Sequence, residues 1–145
     1  VQLDFWQRSS GSIERVVAMI AERTRRTGDR LLVVDADAER RKATSLALWE
    51  HKPEAFLANG DAADGHAERQ PILLSSECAP VNGAGIAVIA DGQWRDEGLK
   101  LERTIFLFDE VTLDAARAVW RELGERDGIE RRYFAQEEGK WVRKV

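Results

Sequence analysis

The sequence predicts an α/β domain with a mostly parallel sheet between helices, and three observations carry that expectation. The runs Leu31-Leu32-Val33-Val34 and Thr104-Ile105-Phe106-Leu107-Phe108 lack polar alternation, as interior strands covered on both faces do. Between such runs lie segments with the period of a buried helical face, at Ile13, Val16, Val17 and Ile20 and again at Leu113, Ala116, Trp120 and Leu123. Strand and helix signals alternate along the chain, the order that builds parallel sheets through crossover helices. The exception is the C-terminal edge, where Arg131 to Gln136 and Trp141 to Lys144 flank Glu137-Glu138-Gly139 as an antiparallel hairpin or an edge strand plus tail. With 145 residues the chain suits one domain with one core.

Gln2 to Trp6 reads as the first strand. Ser9, Ser10, Gly11 and Ser12 then supply turn and N-cap chemistry for a helix. Arg23, Arg25 and Arg26 fall in its last turn, where they favour the negative end of the helix dipole, and Gly28 is a suitable stop. Arg30 to Asp35 is the next strand. The Asp35-Ala36-Asp37 that ends it has the look of a phosphotransferase pair, but Ala38, Glu39 and Arg40 follow where such sites need a Thr or Val. Capping of the helix Ala38 to Trp49 is the simpler role. Pro53 excludes helical geometry from Lys52, so this helix stops near Glu50. A connector of about twenty residues rich in Gly, Asp, Asn and Ala comes next, a length that in a compact domain is usually functional or disordered. Pro71 to Leu74 is a short strand, Glu77 to Gly85 a turn-rich link, and Gly85 to Ala90 another strand. Gln93 to Lys100 is a loop or short helix. After the strand Thr104 to Phe108, Thr112 is placed to cap a helix running toward Gly128.

Composition excludes several function classes. No apolar run approaches the roughly 18 residues of a membrane span, and Val1 to Trp6 lacks the basic flank and apolar stretch of a secretory signal. Cys78 is the only cysteine, which rules out an internal disulfide and fits a reducing cytoplasm. The two histidines, His51 and His66, are too few for a zinc cluster and have no fixed Ser or Cys partner. The first strand-to-helix turn, Gln7-Arg8-Ser9-Ser10-Gly11-Ser12, has a single glycine and cannot cradle a phosphate as a glycine-rich loop does. No catalytic residue, cofactor or metal is therefore expected. The net charge of −4 argues against a broad nucleic-acid surface. From Arg117 to Val145, however, eight Lys/Arg face six Asp/Glu, so this end carries +2 and the rest −6. A modestly basic end on an acidic protein suits an acidic peptide better than a duplex.

Two places stand out as candidate sites. On a helical wheel Leu46 and Leu48 lie about 200° apart and Trp49 at a third angle, so they cannot all enter one core. Trp49, with Phe56 across the following turn, either plugs the end of the core or forms the centre of a docking patch. Arg117 and Arg121 lie beside the buried stripe of the last helix, one turn apart. They either pair with Asp114 and Glu125 on a solvated face or serve a ligand.

Taken together, Asp4-Phe5-Trp6, Ala47-Leu48-Trp49, Pro53 to Leu57, Gly65 to Ile72, Arg117 to Arg121 and Trp141 make the chain resemble the chi subunit of bacterial DNA polymerase III holoenzyme. The resemblance spans nearly the whole chain as a single domain, 1–145. It implies a Rossmann-like three-layer fold and a clamp-loader accessory protein without catalytic activity of its own. It implies one surface for the psi subunit or a substitute partner, with Trp49, Phe56 and Leu57 at the matching positions. A second surface would take the acidic C-terminal tail of single-stranded-DNA-binding protein, with Arg117 at the matching arginine and Arg121 beside it. Contact with single-stranded DNA would then be indirect. Where the family has a lysine one turn before that arginine, this chain has Leu113. A second class of function, a small α/β enzyme acting on a phosphorylated or nucleotide ligand at the strand ends, would need Asp35.

Overall fold

The computed structural model describes residues 1–145, the side chain of residue 53 excepted. Its elements are β1 (Gln2–Gln7), α1 (Ile13–Arg26), β2 (Leu31–Val34), α2 (Ala38–Glu50), β3 (Asn59–Asp61), β4 (Ile72–Ser75), β5 (Ile86–Ile89), β6 (Arg103–Phe108), α3 (Leu113–Gly124), β7 (Glu130–Glu137) and β8 (Lys140–Arg143). The eight strands form one sheet in the order β3-β4-β2-β5-β6-β1-β7-β8. Every neighbouring pair is parallel except β7 and β8. The α/β class, the parallel interior and the antiparallel C-terminal edge are as the sequence predicts.

The strand pleat divides the core in two. Trp6, Leu31, Val33, Leu74, Val88, Ile105 and Leu107 point to the face covered by α1 and α2, joined there by Val17, Ile20 and Leu48. Leu3, Phe5, Leu32, Val34, Ile89, Phe106 and Phe108 point to the other face, where Ala116 and Leu123 of α3 meet them. All four residues of β2 are buried, which is why its sequence shows no alternation.

Some local expectations are corrected. Thr112 sits at the N-cap of α3 but makes no side-chain cap bond. Asp109 serves instead: its Oδ1 accepts from the backbone N of Val111 and Thr112 at 3.0 and 3.2 Å, while the Thr112 hydroxyl accepts from Asp109 N. The helix ends at Gly124, short of Gly128. The long connector contains the three-residue β3, parallel to β4, and three short 3-10 turns at Pro53–Ala55, Ala62–Asp64 and Ala67–Arg69. At the C-terminus the hairpin reading holds, with Glu138 and Gly139 both at positive φ (51° and 78°), the backbone of a tight two-residue turn.

One charge lies fully inside. Asp4 of β1 has no exposed surface, and Arg103 from β6 and Arg132 from β7 reach it at 2.7 and 2.8 Å. Burial pushes its pKa up, but the hydrogen bonds and charge of the two guanidiniums prevail and hold it below the usual carboxylate range.

Candidate functional site

The α2 surface begins with a well-made helix start. Asp37 Oδ1 accepts from the N–H groups of Glu39 and Arg40 at 2.9 and 3.1 Å, the capping role expected of it. Only Thr44 and Leu48 of α2 are buried. The angular conflict resolves in favour of Leu48, leaving Leu46 and Trp49 each 57% exposed.

A carboxylate from α1 holds the helix end. His51 Nε2 lies 2.7 Å from Glu22 Oε2, and Arg26 and Lys52 reach the other oxygen at 2.8 and 3.3 Å. The hydrogen bond from His51, helped by Lys52 and Arg26, lowers the Glu22 pKa to about 2. Past the 3-10 turn, Phe56 takes a left-handed conformation, φ 48° and ψ 58°, and is 82% exposed. Leu57 turns the other way. At 2% exposure it belongs to the core, so it anchors the loop and presents no side chain beside Trp49 and Phe56. Asn59 reinforces the anchor, donating to Leu57 O and accepting from Ser45 Oγ of α2.

The α3 surface lies on the opposite face of the sheet. Arg117 and Arg121 are exposed, and among the described residues neither forms an ion pair, so the first of the two alternatives, pairing with Asp114 and Glu125, is not the one seen. Beside them is an aromatic group. Trp120 meets Phe5 edge to face at 5.0 Å between ring centres and Tyr133 at 5.7 Å. The Arg131 guanidinium sits 4.1 Å over the Trp120 ring and donates to Trp120 O. Burial pushes the Tyr133 hydroxyl above its usual pKa, while the positive charge of Arg117 pulls the other way. Arg131 joins this surface only through the parallel pairing of β7 with β1, so no helical spacing announces it.

The strand ends complete the inventory. β1 and β6 are neighbours whose helices leave to opposite faces, which opens a crevice at their C-terminal ends. Its charges are engaged: Arg8 with Asp109 at 3.2 Å, and Arg40 with the buried Asp35 at 2.6 Å. Asp35 also accepts from Asp37 N at 2.9 Å, so its carboxylate holds the β2–α2 turn. Cys78 is buried, and burial raises its thiol pKa. Among the described residues no three His, Cys, Asp or Glu side chains converge as a metal site would require, and no helix is long and apolar enough to cross a membrane.

A family model described as DNA polymerase III chi subunit, HolC, matches residues 1–129, a stretch that includes Trp49, Phe56, Arg117 and Arg121 and excludes Trp141. No curated protein matches the chain.

Proposed function

We propose an adaptor role for this chain, which belongs to the DNA polymerase III chi subunit family. Membership makes it an accessory subunit in DNA replication; the adaptor reading concerns what it joins. Trp49 and Phe56 dock psi or a substitute partner on the clamp-loader side, with Leu57 supporting their loop from within. Arg117 grips the acidic C-terminal tail of single-stranded-DNA-binding protein, and Arg121 adds longer-range attraction. The chain contributes no catalysis of its own, works in the cytoplasm and meets single-stranded DNA only through the protein that coats it.

The observation that carries this reading is the placement of two unlike surfaces on opposite faces of one sheet. Exposed aromatics at the end of α2 have the character of an interface centre. Guanidiniums on α3 that form no ion pair among the described residues, next to the half-buried Trp120, offer a carboxylate two parallel donors beside an apolar ring. A rigid sheet between them lets both partners bind at once.

The test is calorimetry with a synthetic tail peptide at low salt. Arg117→Ala should weaken binding by roughly 1.5 to 3 kcal/mol, the range for a hydrogen bond to a charged group. Arg117→Lys should recover only part, because an ammonium cannot reproduce the planar fork. Arg121→Ala should matter less and mainly at low ionic strength. Equal affinity for wild type and Arg117→Ala would overturn the assignment.

A further inference from the structure

We propose that Arg131 recognises an acidic side chain about three residues before the carboxyl end of the peptide that Arg117 holds, and that Gly124 is the residue that makes room for it. The inference rests on the tail reading above and adds a specificity determinant to that site. Arg131 lies on β7, beyond the residues 1–129 that the family match covers.

Geometry sets the spacing. Positions 117, 120 and 124 of α3 recur at i, i+3 and i+7, so they share one face of the helix. Arg117 stands at one end of that face and Trp120 in the middle. At the other end the guanidinium comes from a strand: Arg131 sits 4.1 Å over the Trp120 ring and donates to the Trp120 carbonyl. Seven residues of helix rise about 10.5 Å, which an extended peptide covers in about three residues. A terminal carboxylate at Arg117 therefore puts a side chain about three positions earlier beside Arg131.

Gly124 carries an independent observation. Its φ is not positive, so the backbone conformation does not call for glycine, and glycine is the weakest helix former after proline. A Cβ there would stand 2.7 Å from Cζ and Nη1 of Arg131 and 2.8 Å from Nη2. The space left by the missing side chain is the space the guanidinium occupies. Confined between a ring and bare helix backbone, the fork has less freedom to lose on binding than an arginine in open solvent. Arg131 is partly exposed and forms no ion pair among the described residues, so it keeps donors for a carboxylate. Of the acidic side chains in the last turn of α3, Glu122 is held by Arg126 at 2.7 Å, and Glu125, the C-cap, is in no ion pair among the described residues.

The experiment is calorimetry of the intact chain at low salt with acetyl-Gly-Gly-Asp-Ala-Ala-Phe, whose terminal Phe is offered to the Trp120 and Tyr133 rings. The comparison peptides carry Asn in place of Asp, or Asp moved next to the Phe. Wild type should prefer the first peptide over its Asn form roughly five- to ten-fold. Arg131→Ala should reduce that preference to about two-fold or less, the long-range share of Arg121, while leaving the third peptide unaffected. Arg131→Lys should keep part of the preference. Gly124→Ala suits a helix and leaves every charge in place, yet it should lower the preference by displacing the guanidinium. Arg117→Ala should weaken all three peptides and keep the preference. If Arg117→Ala changes nothing, or no peptide binds wild type, the tail reading falls and this inference with it. If Arg117→Ala weakens binding but the preference survives Arg131→Ala or Gly124→Ala undiminished, the tail reading stands and the role of Arg131 is overturned. An equal loss on all three peptides in Arg131→Ala would overturn it too, marking Arg131 as a staple of the helix end.

Discussion

Helices α1 and α2 pack side by side on the same face of the sheet, yet six of the fourteen residues of α1 are buried and only two of the thirteen in α2. α1 follows its helical period closely: Val16, Val17, Ile20, Ala21 and Thr24 form a continuous stripe against the strands. α2 buries Thr44 and Leu48 and leaves Leu46 and Trp49 in solvent. It is held instead by polar ties along its length: the Asp37 cap, Arg41 to Asp61 at 2.8 Å, Ser45 to Asn59, and the bond between His51 and Glu22. The difference separates apolar surface used to fold from apolar surface left over. In α1 nearly all of it is consumed by the core, whereas in α2 the largest side chain takes no part.

Truncation tests the division most sharply. Leu48→Ala removes the one large apolar side chain that α2 contributes to the core and should cost about 2 to 5 kcal/mol in urea unfolding. Trp49→Ala and Phe56→Ala should stay within about 0.5 kcal/mol of wild type while losing co-purification with the proposed clamp-loader-side partner. A loss of several kcal/mol from Trp49→Ala would show that α2 folds through this ring, and the contrast with α1 would collapse.

The tie between the two helices predicts a pH effect. Glu22 has a folded pKa of about 2 against an ordinary 4.5, so its contribution is fully present above pH 4.5 and is lost as pH falls toward 2. Wild type should therefore lose stability across that window. Glu22→Gln should show a flatter acid limb and lower stability at pH 6, with His51 and Lys52 left without their acceptor. Matching acid limbs for the two proteins would mean the tie does not form in solution.

The local features of this division were legible in the sequence, and the long-range ones were not. The period at Ile13, Val16, Val17 and Ile20 announces α1, and the crossed angles of Leu46, Leu48 and Trp49 announce a surplus side chain on α2. β3 gives no such signal, because Asn59-Gly60-Asp61 contains no apolar residue and becomes a strand only through pairing with β4. The Asp4 clamp joins positions 99 and 128 residues apart, and that of Glu22 with His51 joins positions 29 apart, so sequence spacing could not reveal them. Thr112 was the natural cap by residue type, but Asp109 takes the backbone N–H groups because its carboxylate sits at the end of β6 with the turn folded over it. At the candidate site the type of residue was readable and its direction was not. Phe56 and Leu57 are adjacent and both apolar, and the left-handed backbone at Phe56 sends one outward and lets the other into the core.

That backbone supports the smallest predicted effect and the one that bears most directly on function. A left-handed conformation costs an L-residue with a bulky side chain about 1 to 2 kcal/mol, and Asn tolerates it far better. Phe56 is 82% exposed, so replacing it removes little burial to set against that relief. Phe56→Asn should therefore raise the unfolding free energy by roughly 0.5 to 1 kcal/mol, read as a higher urea midpoint at unchanged slope. Phe56→Gly relieves the same strain but adds freedom to the unfolded chain, so it should fall near wild type. Binding of the proposed clamp-loader-side partner should drop in both variants. A protein made more stable and less able to bind by one substitution is what a side chain held in a strained position for its partner predicts. If Phe56→Asn instead lowers stability by more than about 1 kcal/mol, the ring rests on its own chain in solution, and the exposed end of α2 is part of the fold.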